Sequence, residues 1–132
     1  MSQEKSSTKR DTYLLCFILF SGSDYMKIYY FMIHAVPKKD NPENEECIGA
    51  YVNCWVKRST YLTALKEAKS YIDSEGWSAT NIEEAYITER KRYIDDPDSS
   101  QSLECYDLAC EYGVAGIFYT YKTEEDIDNR NT

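Results

Sequence analysis

The sequence predicts an α+β protein, a two-layer sandwich in which a mixed four-stranded sheet carries two helices mainly on one face. Three observations predict this class. Some segments alternate between apolar and polar residues, others repeat apolar residues at three- and four-residue steps, and glycine or proline separates them. In chain order these segments predict β-β-α-β-α-β. At 132 residues the chain has room for one such domain with one core.

The first two predicted strands form an antiparallel hairpin around the polar loop Pro37 to Glu46. Lys27 to Val36 is apolar on both alternating faces, which is typical of a strand covered on two sides. Ile48 to Arg58 alternates more clearly, because every second side chain of a strand points to the same face. Its face toward the helices is expected to carry Ile48, Val52 and Val56, and its other face Tyr51, Asn53 and Trp55.

Two amphipathic helices and two further strands complete the pattern. The helices are predicted to follow capping residues at position 59 or 60 and at position 98 or 99, and a glycine closes each of them. Strands are predicted at Asn81 to Tyr93 and at Val114 to Tyr121. Since the second strand has one clearly apolar face, both helices are expected to lie mainly on that side.

The two ends of the chain stand apart from this pattern. Residues 1–25 contain a run of eight apolar residues, Tyr13 to Phe20, within a polar segment. This region is consistent with a loose extension or a mis-assigned start, with an extra edge strand, or with a signal peptide or anchor; eight residues are too few to span a bilayer as a helix. Residues 26–121 are predicted to form the single domain and residues 122–132 an acidic flexible tail.

The composition is acidic and rich in tyrosine. The formal net charge is −8, and the chain has 13 tyrosines. Such a charge repels nucleic acid and anionic membranes, so neither is expected as a partner unless residues 13–20 act as a signal or anchor. It favours a cationic partner, or simply solubility. Tyrosine combines an apolar ring with a polar tip, which suits both half-buried strands and contact surfaces.

No motif in the sequence predicts catalysis, a metal site or a cofactor. His34 is the single histidine, and Cys47 is the cysteine expected nearest to it, but no third group that would orient such a pair is evident. The five cysteines include no C-x-x-C pair, which disfavours zinc, and their apolar surroundings indicate free thiols in a reducing, bacterial-type cytoplasm. We therefore expect no catalytic residue, no metal and no cofactor, and favour a protein that is not an enzyme.

The sheet face opposite the helices is the expected binding surface. Tyrosine, tryptophan and arginine are the residue types that anchor protein contacts. The candidate partner-binding residues are Tyr51, Asn53, Trp55, Tyr86, Arg90, Tyr119 and Tyr121. RNA-recognition domains stack bases on an aromatic sheet face of this kind, but the acidic charge opposes that function.

The sequence thus predicts a non-enzymatic protein-interaction module. One form is an acidic inhibitor of the immunity or antitoxin type, which neutralises a basic toxin by charge complementarity. Another is a homodimer that self-associates through the open sheet face. The alternative function is a small-molecule-binding protein or an enzyme, with a pocket near His34 and the loop Pro37 to Glu46.

Overall fold

The computed structural model describes residues 25–122, so the predictions for residues 1–24 and 123–132 lie outside the described part of the chain. Apart from one extra turn of α-helix and the short 3-10 helices Pro42–Glu45 and Pro97–Ser99, the order of the elements is the predicted β-β-α-β-α-β. The elements are β1 Lys27–Pro37, β2 Gly49–Arg58, α1 Tyr61–Ser74, β3 Trp77–Thr88, the one-turn helix α2 Lys91–Ile94, α3 Ser100–Tyr112 and β4 Val114–Tyr121.

All neighbouring strands of the sheet are antiparallel, in the order β3-β1-β2-β4. β1 and β2 form the expected hairpin, with Lys27 opposite Arg58 and Ala35 opposite Ala50. The prediction of an α+β sandwich with a four-stranded sheet and two helices is confirmed, but the sheet is not mixed. The reason is that α1 carries the chain from β2 past β1. The strands β2 and β3 run in the same direction, but β1 lies between them, so the sheet contains no parallel pair.

One face of the sheet, which we call face A, packs against α1. The inner side of this helix consists of Ala64, Ala68 and Ile72, all of them fully buried against alternate residues of β1 and β2. Residues four apart lie on one stripe of a helix, and the small alanines let the helix approach the sheet closely. The side chain of Thr60 caps α1, and Gly76, with a φ of 91°, ends it as predicted.

The opposite face, which we call face B, packs against α3. Trp55 lies there and is 1% exposed, in a cluster with Tyr30, Cys105 and Ala109. The expectation that both helices lie mainly on one face is therefore corrected, because each face carries one helix. The physical reason is that β1 is apolar on both sides and Trp55 adds a large ring. Face B thus holds more apolar surface than the fold can leave in water.

The strand β3 begins and ends earlier than predicted. It starts at Trp77 rather than Asn81, because the Trp77 ring is buried in the face A core directly after the turn at Gly76. Tyr93 belongs to α2 instead of the strand. Within residues 25–122, no helix has both the length and the apolar character that crossing a membrane requires.

Candidate functional site

The seven residues predicted to bind a partner fall into two groups on face B. Trp55 is buried under α3, Tyr86 packs against the same cluster, and Arg90 follows the end of β3. The guanidinium of Arg92 stacks over the Tyr86 ring at 4.7 Å, while Arg90 donates to both carboxylate oxygens of Asp107 in α3. The other four lie beyond the cluster that α3 covers; they are Tyr51, Asn53, Tyr119 and Tyr121.

Face B therefore has two regions. The capped half, under α3, is defined by Ile28, Tyr30, Trp55 and Ala115. The tyrosine strip, beyond it, is defined by His34, Tyr51, Asn53, Tyr119 and Tyr121. The sheet register places His34 opposite Tyr51 and Tyr51 opposite Tyr119, and direct cross-strand partners share a face. His34, Tyr51, Asn53 and Tyr119 are half-buried, whereas the side chain of Trp55 is out of reach of a partner.

The capped half is fixed by a buried chain of hydrogen bonds. Trp55 Nε1 donates to the Tyr93 hydroxyl at 3.0 Å, and that hydroxyl lies 2.9 Å from Thr88 Oγ1. Tyr93 is itself buried and packs edge-on against the Trp55 ring. An indole N–H that is buried needs such an acceptor, so α2 both covers and satisfies Trp55.

His34 is held at both of its ring nitrogens. Nδ1 lies 2.7 Å from Thr80 Oγ1, and Nε2 lies 2.7 Å from the Tyr121 hydroxyl. Because Thr80 Oγ1 donates its own proton to the His34 carbonyl oxygen at 3.1 Å, it accepts the bond from Nδ1–H. When the imidazole is neutral, Nε2 is its one remaining acceptor, and the Tyr121 hydroxyl donates to it.

Thr80 reaches His34 because β3 is irregular at this point. Asn81 lies opposite His34 and Ala79 lies opposite Ala35, so Thr80 has no direct partner on β1. A bulge of this kind inserts one residue into a strand and re-aims its side chain. The bulge therefore positions the Thr80 hydroxyl, which in turn fixes the orientation of the imidazole.

Tyr121 reaches His34 across β2 because Gly49 leaves room for its ring. Gly49 is the direct cross-strand partner of Tyr121. A Cβ atom at position 49 would lie 2.5 Å from the Tyr121 hydroxyl oxygen, much closer than a normal contact. The Tyr121 ring also stacks on Tyr51, with the ring centroids 5.9 Å apart. The missing side chain at Gly49 thus determines where the phenol lies.

Asn53 contains a buried polar atom without a partner. Its Oδ1 accepts no hydrogen bond within the described part of the chain. The direct cross-strand neighbours of Asn53 are Met32 and Ile117, which have no side-chain donor to offer. A buried carbonyl in this condition costs about 1–3 kcal/mol of stability. Such a cost in a native protein calls for an explanation, and a donor supplied by a bound molecule is one.

Negative charge lies next to the strip. Glu84 is exposed on β3, directly opposite Met32. Burial, followed by the charges of Tyr86 and Glu84, raises the pKa of Tyr30 far above its usual value, and the Tyr119 phenol acts in the same direction. Glu84 therefore brings a negative charge close to this part of face B, and such a charge attracts a cation.

The alternative pocket near His34 and the loop Pro37 to Glu46 stays a prediction, and the contacts of two residues in this region bear on it. Asn41 of the loop donates to the Gly76 carbonyl at 2.8 Å, at the end of α1, which lies on face A. The His34 ring lies on face B, with the tyrosine strip. Cys47 also packs in the face A core, so the sheet separates it from His34.

The buried thiols are poor nucleophiles. Burial raises the pKa of Cys54 to about 12 and that of Cys105 to about 11, and it also raises the pKa of Cys110. A thiol reacts as the thiolate, and a raised pKa lowers the share of thiolate at neutral pH. Among residues 25–122, no group of three or more His, Cys, Asp or Glu side chains could hold a metal ion.

The chain is an α+β protein with an antiparallel sheet, in which α1 packs on one face and α3 covers part of the other. No family model, curated protein or solved structure matches the chain. Two residues that shape the strip, Gly49 and Thr80, were not among the predicted site residues. An isolated glycine inside a strand is a signal of close approach by another group, whereas the bulge at Thr80 has no comparable signal in one sequence.

Proposed function

We propose that this protein is a non-enzymatic interaction module that binds a basic protein through the tyrosine strip. The observation that carries the proposal is the strip itself: three tyrosines, a histidine and an asparagine lie together on a sheet face in a chain of net charge −8. Tyrosines supply large contact areas at a low entropic cost, and an acidic surface accelerates the encounter with a cationic partner.

The hydrogen bonds of the strip support this function. His34 is held by Thr80 and Tyr121, and Tyr121 stacks on Tyr51. Side chains that are fixed before binding lose less conformational entropy when the partner arrives. An acidic inhibitor of the immunity or antitoxin type, neutralising a basic toxin, is the specific form that we favour.

A second copy of the chain is a less suitable partner than a basic protein. Two chains that each carry a net charge of −8 repel one another. We also propose a bacterial cytoplasmic location, since the four cysteines of the described region are free thiols.

The function is tested by affinity capture with three versions of the full chain: wild type, Tyr119→Ala and Tyr61→Ala. Tyr61 is a matched control, because it is a half-exposed tyrosine that contacts Tyr29 and Phe31 on face A. We expect a basic protein that wild type and Tyr61→Ala both bind, and an affinity about tenfold weaker or worse for Tyr119→Ala. The affinity should fall as salt is added.

Two outcomes would contradict the proposal. One is a partner that Tyr119→Ala binds as tightly as wild type does while Tyr61→Ala does not. The other is light scattering that shows a stable dimer which Tyr119→Ala dissociates, since the strip would then be occupied by a second copy. Circular dichroism of each variant establishes that it is folded before its affinity is compared.

A second candidate function is chemical, and the hydrogen-bonded row Tyr121–His34–Thr80 favours it. A base that accepts from a hydroxyl and is itself oriented by a third group is the arrangement of an activated nucleophile. Tyr121 is only 6% exposed, which argues against easy access by a substrate. An aryl sulfonyl fluoride tests the candidate: faster labelling of Tyr121 than of Tyr61, abolished by His34→Gln, would favour it, and equal or slower labelling would exclude it.

A further inference from the structure

We propose that the tyrosine strip contains a subsite for a guanidinium group, in which Asn53 accepts hydrogen bonds and Glu84 supplies the opposite charge. This inference rests on the proposed function, because the guanidinium would belong to an arginine of the basic partner. It specifies which residue type the partner inserts and where on the strip it binds.

The first support is the unpaired oxygen of Asn53. A carbonyl that is buried without a donor is an acceptor whose hydrogen bond has yet to be made. The side chain as a whole is half-buried, and the terminal χ2 torsion of asparagine is soft, so a turn of the amide can present Oδ1 to an incoming donor. The neighbours Met32 and Ile117 have no side-chain donor, so the donor has to come from outside this row of the sheet.

The second support is the position of Glu84 in the same cross-strand row. Met32 is the direct partner of both Asn53 and Glu84, so the two polar residues are separated by two strand spacings, or about 10 Å between Cα atoms. A guanidinium bound between them would lie over Met32, which packs at the edge of the capped half. Glu84 is exposed and takes part in none of the ion pairs formed within residues 25–122.

The third support is that face B already holds an arginine on a tyrosine. The guanidinium of Arg92 lies 4.7 Å from the centre of the Tyr86 ring, and Tyr86 is two residues along β3 from Glu84. Guanidinium groups stack on aromatic rings and present several donors in one plane, whereas an ammonium is a compact, strongly hydrated charge. The subsite, with Tyr119 nearby and Asn53 and Glu84 as acceptors, is therefore better suited to arginine than to lysine.

The subsite is tested by NMR titration of the isotope-labelled full chain with three small probes. They are the N-acetyl amides of arginine, of lysine and of citrulline, which is the uncharged isostere of arginine. We expect the arginine probe to shift the Asn53 side-chain amide and the backbone amides of Met32 and Tyr119, with saturation in the millimolar range. The lysine probe should bind at least threefold more weakly, and the citrulline probe should produce no saturable shift.

Two variants and one control connect the binding to its proposed residues. Asn53→Leu keeps the branching of the side chain but removes the acceptor, and it should weaken binding of the arginine probe about tenfold or more. Glu84→Gln should weaken it about threefold at low salt. Glu104→Gln makes the same change of charge on the exposed side of α3 and should leave the affinity unchanged.

The subsite would be disproved by equal binding of the arginine and citrulline probes, by equal binding of arginine and lysine, or by shifts that Asn53→Leu leaves intact. These results are distinguishable from a failure of the proposed function. If the arginine probe does not bind but Tyr119→Ala still loses the basic partner, the subsite is wrong and the interaction surface stands. If Tyr119→Ala binds the partner normally, the interaction surface itself is wrong.

Discussion

The two regions of face B begin from similar residues and differ in what lies over them. The capped half and the tyrosine strip both present aromatic side chains on the same strands. In the capped half, α3 and Tyr93 bury Trp55 and satisfy its N–H. In the strip, imidazole, phenol and amide groups lie where α3 does not reach, and Asn53 retains an unsatisfied acceptor. The two regions are therefore alike in aromatic content, and they differ in the helix that covers one of them and in the buried acceptor of Asn53, which has no donor.

The largest difference between the two regions should appear on truncation of one ring in each. Trp55→Ala creates a cavity under α3 and leaves the Tyr93 hydroxyl without its donor, so the free energy of unfolding should fall by about 3–5 kcal/mol. Tyr119→Ala, at the half-buried edge, should cost about 1 kcal/mol or less. Urea denaturation of both variants measures the contrast, and equal losses would show that the strip is as much a part of the core as the capped half.

The next largest effect is expected at Gly49, whose missing side chain leaves room for the Tyr121 ring. Gly49→Ala places a Cβ atom 2.5 Å from the Tyr121 hydroxyl oxygen, so the ring must leave His34, and the free energy of unfolding should fall by about 1–3 kcal/mol. The control is the same substitution in a Tyr121→Ala background, where the clash is gone. A double-mutant cycle should give a coupling energy of about 1 kcal/mol or more. Additive effects of the two substitutions would refute the claim that Gly49 makes room for the Tyr121 ring.

A smaller effect of opposite sign is expected at Asn53. Asn53→Leu removes the buried carbonyl that has no donor, so the protein should become more stable by about 1 kcal/mol. The control is Asn81→Leu, at an exposed asparagine, which should change stability little. Thermal unfolding provides the measurement. A destabilised Asn53→Leu would mean that the amide already has a structural partner.

The smallest effect lies at the surface, where Arg90, in the link between β3 and α2, pairs with Asp107 of α3. The hydrogen bonds from Arg90 hold the pKa of Asp107 below its usual value of 3.8. A lowered folded-state pKa means that the ionised form favours folding. The contribution is therefore present at pH 7 and disappears as the pH falls below 3.8 and through the folded-state pKa. Asp107→Asn should be slightly less stable than wild type at pH 7 and equal to it in strong acid. A difference that persists in acid would disprove the ion pair as its cause.

Much of the fold could be predicted because its signals are local. The bounds of β4 and the positions of Gly76 and Gly113 follow from short runs of apolar residues and from the left-handed backbone that ends each helix. The placement of α3 depends instead on the summed apolar surface of face B. The two-sided apolarity of β1 and the size of Trp55 did indicate a second covered face, but the clean alternation of β2 favoured the wrong side for α3.

The site was only partly predictable for a related reason. Side chains two residues apart in a strand point to the same face. This alternation places four of the predicted residues together, namely Tyr51, Asn53, Tyr119 and Tyr121. The link from Thr80 to His34 depends on a bulge, which shifts the register by one residue and has no distinctive sequence. The unpaired state of Asn53 depends on the apolar neighbours that the register brings beside it.

Carbene footprinting of the full chain, alone and with the basic partner recovered by capture, tests the division of face B most directly. Mass spectrometry then reports which side chains the partner shields. Reduced labelling should occur at Tyr51, Asn53, Tyr119 and Glu84, with labelling of Leu108 on α3 unchanged. Shielding of α3 with the strip labelled as before would contradict the division, because the partner would then bind the capped half.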